Sequence, residues 1–549
     1  MGKEKLKILI VPVGNPRVYQ EVTYYFKKEK ERIEKTSSLT IPVLEEGLKP
    51  DKTFVLVPDS TGIDDSLPVE EGFYDLVREE GIKIVKEKLL QIETAENVDR
   101  FFLSISNRGR FRKPGRDSKK VFNFNAGPQD YYYDFIYQLT HTILLPEEVA
   151  RYDQIEIYLD ITHGINFMPI FVYRGILTAA SLLAFLKPGG VRVKVFNTDP
   201  FIPGATKILK INQIEDKIAT PISLNQRLER ASLLKPVLIP KEERRHFFSK
   251  TRPRTDRYEE ELNSFISSFY YGFPLVMATL FPSVEEIESH LERMYKSYFD
   301  WVEVRKENDT TIEIDKKVQF TPAFELVTLS SWQARLVREE LKLSPIGKEG
   351  IEVKELQKIG NIFGNNSIFI AKELHDLAEK GKFADSQWEC YSRVMDRTER
   401  VNGEIVEVEG GEGSLKREIE EFQTWILQRI EAVTGVIERL TAIVEKYPAG
   451  LRELEELGRL MEKEKLPPLY PEREENREEL GGKKGAIGCG KQPGIDIRNF
   501  RAHAGLERNS VEVKREGERV KVRYAPVRLA EVAKVATRGL SPIRGYGDR

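Results

Sequence analysis

Through the first two hundred residues, near-continuous apolar runs alternate with stretches of helical periodicity. That alternation constrains the fold more than any other feature of the chain. Leu6 to Val13, Phe54 to Val57, Phe101 to Ser106, Ile155 to Ile161, Val191 to Phe196 and Lys207 to Ile211 have the composition of strands. Between them, Glu70 to Leu90, Tyr131 to Leu145 and Ile165 to Leu186 have that of helices. A strand that is apolar on both sides has to be covered on both sides, and a parallel sheet with helices above and below provides the cover. The pattern predicts an α/β domain over about residues 1–220.

Open sheets of this kind take ligands at the carboxyl ends of their strands. Three predicted strand ends carry small polar residues: Gly14-Asn15-Pro16, Pro58-Asp59-Ser60-Thr61-Gly62 and Asp160-Ile161-Thr162-His163-Gly164-Ile165-Asn166. Glycine lets a backbone approach a ligand closely, while Asn, Ser and Thr present donors and acceptors. Gly14, Asn15, Asp59, Ser60, Thr61, Thr162, His163, Gly164 and Asn166 are therefore candidate ligand-binding residues. Each group alone is also an ordinary turn, and His163 is equally suited to capping the helix that follows it. Recurrence on one predicted edge is what favours a site. Neither GxGxxG nor GxxxxGK[ST] occurs, which argues against a standard dinucleotide site and a nucleoside triphosphatase. The basic stretch Arg108 to Lys120 either adds positive potential near an anionic ligand or is a solvated loop.

At 549 residues the chain is too long for one ordinary domain. Its net charge of −2 provides no global basic field, so a nucleic-acid site has to be local. Cys390 and Cys489 stand far apart with no CxxC spacing, so neither a zinc site nor a disulfide framework is expected. The charge-rich, Cys-poor balance is that of a thermophile's cytosolic protein. The opening MGKEKLKILIVPVG reads as a strand with a charged lead-in, and the apolar run Phe167 to Leu186 as a buried helix interrupted by Arg174 and Gly175. A cytoplasmic protein without a membrane span is the expectation.

From about residue 220 the pattern turns helical. Residues 221–257 read as a junction, and residues 258–549 as a mainly α-helical domain with a small hairpin inserted near 302–320, turning at Asn308-Asp309. Glu404 to Gly413 is an acidic loop, Ser414 to Tyr447 a long amphipathic helix and Arg473 to Gly494 a charged, Gly-rich loop. Val511 to Tyr524 alternates as a hairpin around Glu516-Gly517, and Leu529 to Leu540 closes the chain as a basic helix.

One hexapeptide of that half, Arg498-Asn499-Phe500-Arg501-Ala502-His503, holds the parts needed to cut RNA without a metal. RNA carries its own nucleophile, the 2′-hydroxyl, so the protein has only to move protons and to place a cation over the phosphate. A helix beginning near Arg498, with Asp496 as its cap, would set Asn499 and His503 on one face. The same residues also fit a solvated helix face.

The segment RNFRAHAGL resembles the active-site helix of HEPN ribonucleases, in the RNFxAHxG form of their CRISPR-associated members. By position, the resemblance makes Arg498 and His503 the catalytic pair and Asn499 their polar companion. Phe500 and Arg501 fall at variable positions, with packing or RNA contact as their expected roles. The GNP turn and DITHGIN segment resemble CARF domains, the Rossmann-like sensors of type III CRISPR systems, the latter in its Csx form. Together these resemblances imply an endoribonuclease, a homodimer or higher homo-oligomer, that cleaves single-stranded RNA in antiviral defence. They imply cyclic oligoadenylate as allosteric activator, cyclic tetra-adenylate being the expected ring, and no required metal or cofactor. Products with 2′,3′-cyclic phosphate and 5′-hydroxyl ends are implied too. Two alternatives stand beside this: a ligand-sensing regulator that grips nucleic acid without cutting it, and a CARF domain that itself degrades the ring.

Overall fold

The computed structural model describes residues 5–544 except 29–30, 91–97, 116–117, 165–166, 253, 343–349, 364–373, scattered positions between 376 and 400, 401–494 and 496. The loops expected at 404–413 and 473–494 and the helix expected at 414–447 lie outside the described residues, as does the cap residue Asp496.

The chain begins with β1 (Lys5–Pro12), β2 (Val22–Lys28), β3 (Glu31–Ser37), α1 (Ile41–Leu48), β4 (Lys52–Pro58), α2 (Phe73–Leu90) and β5 (Asp99–Ile105). There follow β6 (Gly109–Phe111), β7 (Val121–Asn125), α3 (Asp130–Gln138), α4 (Pro146–Val149), β8 (Gln154–Asp160), α5 (Met168–Leu183), β9 (Val191–Thr198) and β10 (Ile208–Ile218). Eight of these strands form one sheet in the order β3-β2-β10-β9-β8-β1-β4-β5. The five from β9 to β5 run parallel, β10 turns back against β9, and β2 lies parallel to β10.

Alternation within β1 shows how the sheet is covered. Ile8 and Ile10 face a cluster with Phe135 of α3 and Val172 and Ile176 of α5. Leu9 and Val11 face another with Leu44 of α1 and Val85 and Leu89 of α2. Both sides are dry, which is why the strands read as unbroken apolar runs. At Gly62 the loop after β4 meets α2 so closely that a Cβ would lie 2.0 Å from the Val77 carbonyl oxygen, so only glycine fits there. The apolar run at 167–186 forms α5, and no helix among the described residues is long and apolar enough to cross a membrane.

The second half contains β11 (Gln226–Glu229), β12 (Leu234–Pro236), α6 (Lys241–Thr251), α7 (Glu259–Tyr271), α8 (Pro274–Thr279) and α9 (Val284–Asp300). Next come β13 (Val302–Asn308), β14 (Thr311–Lys316), β15 (Val318–Phe320), α10 (Pro322–Leu341), β16 (Ile351–Glu352), α11 (Val353–Asn361) and β17 (Glu389–Cys390). The chain closes with α12 (Ile497–Ala502), β18 (Val511–Glu516), β19 (Arg519–Tyr524), α13 (Leu529–Ala536) and β20 (Ser541–Arg544). Strands β18 and β19 form the hairpin expected at 511–524, within a sheet of order β16-β19-β18-β17.

Three features differ from the sequence reading. The hairpin at 302–320 is not an insertion confined to the C-terminal half, because β14 pairs in parallel with β7 in a sheet of order β13-β14-β7-β6. Its Ile312 and Ile314 share a cluster with Phe122, Phe124 and Val77 of the N-terminal half. Residues 221–257, read as a junction, contain paired strands: β11 pairs in parallel with β20 at the far end of the chain, and β12 pairs with β15. Cys390 is disulfide-bonded, against the expectation drawn from cysteine spacing. One apolar cluster continues from Ile8 in the sheet through Leu262 of α7 and Trp332 of α10 to Phe500 of α12.

Candidate functional site

The carboxyl edge of the large sheet is where the candidate ligand residues fall, and the structure divides them into two groups. Gly14, Asn15, Thr162 and His163 belong to adjoining turns after β1 and β8. The Tyr19 hydroxyl joins these turns, accepting from the Gly14 amide at 2.7 Å and donating to the His163 carbonyl at 2.8 Å. Burial pushes that hydroxyl up to about 12. The Asn15 side chain caps a short 3-10 turn by accepting from the Arg17 amide at 3.1 Å. Asp160 holds the β8 turn, accepting from the Thr162 amide at 3.0 Å and the Thr162 hydroxyl at 2.5 Å, while its other oxygen accepts from the Thr40 hydroxyl.

His163 is buried. Its Nε2 accepts from the Thr40 amide at 3.3 Å, and its ring lies 4.8 Å from that of Tyr19. Burial holds its imidazole below the ordinary value, with the Asp160 carboxylate opposing that shift. Beside these turns opens a cavity of about 390 Å³ lined by Tyr19, Tyr24, Thr162, His163, Asn197 and Thr198, among others. Flat aromatic faces, amide and hydroxyl groups and one acidic residue, Asp199, line it, a mix that suits a planar, polar ligand. The sequence reading missed Tyr19, Tyr24, Asn197 and Thr198. Asn197 and Thr198 end β9, so they sit on the same edge as the three turns that were noticed.

Asp59, Ser60 and Thr61 go elsewhere. Asp59 is buried and accepts from Lys316 of β14 at 2.6 Å, from the Tyr74 hydroxyl at 2.7 Å and from the Asn107 amide at 3.0 Å. Ser60 accepts from the Asn107 side chain at 2.9 Å, and Thr61 is buried. These three residues, expected to bind ligand, are instead packed into the protein's interior. The reason is that Lys316 reaches the end of β4 from a distant strand. Gly164 packs under Pro169 at the start of α5, and Asn166 lies outside the described residues.

The second site is α12. Its backbone runs from Ile497 to Ala502, so Arg498 and Asn499 are helical and His503 is the first residue beyond the end. The expected shared face of Asn499 and His503 therefore ends one residue early. The Gly505 amide donates to the Phe500 carbonyl at 2.8 Å and the Ala504 amide to that of Arg501 at 3.2 Å. This pair of bonds is a Schellman closure with His503 as the C-cap. It drives Ala504 to φ 49°, in the left-handed region, followed by Gly505 at φ 83°. His503 is thus held at a fixed exit from the helix.

Packing fixes the helix in turn. Phe500 is fully buried, edge-on to Phe273 at 5.1 Å and stacked with Tyr524 at 6.4 Å, and the Tyr524 hydroxyl donates to the Gly505 carbonyl at 2.7 Å. Arg501 donates to the Tyr271 hydroxyl at 3.0 Å and to the Arg538 carbonyl, with its guanidinium 4.4 Å over the Tyr271 ring. Both residues thus have packing roles. The amide of Ile495 donates to Glu531 at 2.6 Å, anchoring the approach to the helix. Among the described residues no group of three His, Cys, Asp or Glu is arranged to hold a metal ion.

An α/β domain open at its carboxyl edge, sharing a core with a helix that carries Arg498 and Asn499 and is capped by His503, defines a ligand-binding unit joined to a nuclease unit. Comparison with known proteins gives both units a family. The family model "CRISPR system endoribonuclease Csx1, CARF domain" matches residues 8–200, and "CRISPR system endoribonuclease Csx1, HEPN domain" matches residues 408–526. The CRISPR system endoribonuclease Csx1 of Methanocaldococcus jannaschii is 26% identical over 386 residues, 68% of this chain and 75% of the other. A solved structure of Enterococcus italicus Csm6 bound to cyclic hexa-2′-fluoro-hexa-dAMP covers 73% of this chain and 76% of its own, at 10% identity and a TM-score of 0.18. The chain belongs to the CARF–HEPN ribonucleases of type III CRISPR systems. It is an endoribonuclease, which sets aside a regulator that binds nucleic acid without cutting it.

Proposed function

We propose that this endoribonuclease cleaves single-stranded RNA in the cytoplasm without a metal, and that cyclic oligoadenylate, cyclic tetra-adenylate in particular, activates it through the sheet-edge cavity. The observation that carries the reading is the cavity itself, whose Tyr19, Tyr24, Thr162, His163, Asn197 and Thr198 lie within the segment matched by the CARF model, with the acidic Asp199 beside them. Rings of Tyr19 and Tyr24 suit adenine stacking, and Thr162, Asn197 and Thr198 suit hydrogen bonds to base or sugar. At about 390 Å³ the cavity stands near the lower end for small-molecule sites, so a cyclic oligonucleotide would span more than one of them. Two copies facing each other about a two-fold axis meet that need. Ile208, Ile214 and Ile218 are more than half exposed along β10, which supports pairing of the chain. Thr162 and His163 are engaged with Asp160 and Thr40, which favours holding the ring over cutting it.

In the nuclease unit Arg498 stabilises the pentacovalent phosphate, His503 moves a proton at the 2′-hydroxyl or the leaving oxygen, and Asn499 orients the reacting group. One His per chain serves poorly as both acid and base, so a two-fold arrangement presenting two motifs is the natural solution. The products carry 2′,3′-cyclic phosphate and 5′-hydroxyl ends. Substituting Asn15, Thr162 or His163 should raise the cyclic tetra-adenylate concentration needed for half-maximal cleavage while leaving the ligand-free rate in place. Loss of cleavage at saturating ring concentration would reassign those residues from sensing to catalysis.

A further inference from the structure

The carboxyl edge of the sheet is open at one end and plugged at the other. At β8, β1 and β9 it leaves the cavity beside His163. At β4 and β5 it is filled by Lys316, whose side chain arrives from β14, is 0% exposed and meets Asp59 (1% exposed) at 2.6 Å. Lys316 also donates to Ser106 at the end of β5 and lies 5.2 Å from the centre of the Tyr74 ring. The chain's own ammonium group thus fills the edge at β4 and β5, while the edge at β1 and β8, where the strand order reverses and such sheets ordinarily take a ligand, stays open.

The two halves of the edge are physically joined. The turn after β1, which carries Asn15, sends Arg17 to the Ile63 carbonyl in the loop after β4 at 2.9 Å. That loop begins with Asp59. On the far side, Ser106 meets the Tyr298 hydroxyl of α9 at 2.8 Å, and that hydroxyl donates to Asp130 at 3.2 Å. The Tyr298 ring stacks on Phe320 at 4.2 Å. From α9 the apolar core continues through α10 and α7 to Phe500 of the motif helix. A buried ion pair is often no more stabilising than apolar residues of the same volume, and what this one adds is a specific pairing of β14 with the ends of β4 and β5. Such a contact suits a joint that must hold two arrangements.

We propose that Lys316 is the output contact of the sensor, a positioning residue through which an occupied cavity changes the placement of α9 and, through the core, of the Arg498–His503 helix. The inference rests on the activation by cyclic oligoadenylate proposed above. Its test uses the full chain as wild type, Lys316→Met and Tyr298→Phe. Thermal melting checks folding, binding of cyclic tetra-adenylate gives affinity, and RNA cleavage with and without that ring gives the activation factor. Lys316→Met should keep ring affinity within about threefold while its activation factor falls at least about tenfold, the scale of an allosteric coupling removed. Tyr298→Phe, which deletes one hydroxyl and keeps the ring stack, should lose activation in the same direction by a smaller factor, and it decides the matter if Lys316→Met does not fold. A folded variant that keeps the wild-type activation factor overturns this inference alone. A wild-type rate that no ring of three to six adenylates raises overturns the sensor reading, and this inference with it.

Discussion

At the scale of residues, the nuclease motif is defined by how its helix ends. The Schellman closure makes His503 the C-cap and places Ala504 at φ 49°, a conformation that costs an L-residue with a Cβ roughly 1–2 kcal/mol. Ala504→Gly should therefore stabilise the protein by about 1 kcal/mol, less what glycine loses in chain entropy, without altering cleavage. A rise in melting temperature at unchanged rate is the expected result, and a fall would show that the closure is not strained. Arg498→Ala and His503→Ala should each lower the cleavage rate at least about 10²-fold while folding and ring binding persist. Wild-type rates from either variant would remove the motif from the chemistry.

At the scale of elements, buried polar contacts between distant segments fix the geometry, and some of them titrate. His290 of α9 is buried, with Nδ1 meeting the Tyr258 hydroxyl at 2.8 Å and Nε2 facing the Arg252 carbonyl at 3.1 Å. Burial first, and then the Arg293 charge, lower its imidazole to about 4. The unfolded chain binds that proton near pH 6.5 and the folded chain only near pH 4, so stability from this residue is lost as pH falls through that window. Asp134 has the opposite sign: burial raises its carboxyl to about 6, so its contribution is lost as pH rises towards 6. Comparing wild type with His290→Gln isolates the first effect. The wild-type advantage should shrink by about 2 kcal/mol between pH 7 and pH 5 in denaturant titrations. A constant difference would mean that His290 is not neutral in the fold.

The same scale shows what could be read from the sequence. The parallel strands were legible because burial on two faces leaves an apolar run with no polar alternation to interrupt it. Strands β2 and β3 were not, because a hairpin at the sheet edge mixes Tyr24 and Phe26 with Lys27, Arg32 and Lys35. Asp59 shared the polar, strand-end setting of Thr162, and only Lys316, 257 positions further on, distinguishes an internal ion pair from a ligand contact. The RNFRAHAG motif was legible as chemistry, whereas its helix end depends on amide bonds and a positive φ that no residue type announces when alanine occupies the left-handed position.

At the scale of the whole molecule, the ligand-binding and nuclease units are not beads on a string. Strand β14 completes a sheet with β7, β11 pairs with β20, and a single apolar core runs from β1 to the motif helix. Such continuity gives an effector a route to the active site, but a ligand shifts the balance only by binding the competent arrangement more tightly than the resting one. Ligand-free cleavage should accordingly be low but measurable, since a minor competent population exists without the ring.

The central claim, RNA cleavage by a metal-free site under the control of a cyclic oligoadenylate, meets its most direct test in one assay. Labelled single-stranded RNA is incubated with the full chain in EDTA, alone and with each cyclic oligoadenylate in turn. Cleavage that persists in EDTA, rises with cyclic tetra-adenylate and leaves 2′,3′-cyclic phosphate ends is the predicted result. Cleavage abolished by EDTA and restored by Mg²⁺ or Mn²⁺, or a rate indifferent to every ring, would contradict it.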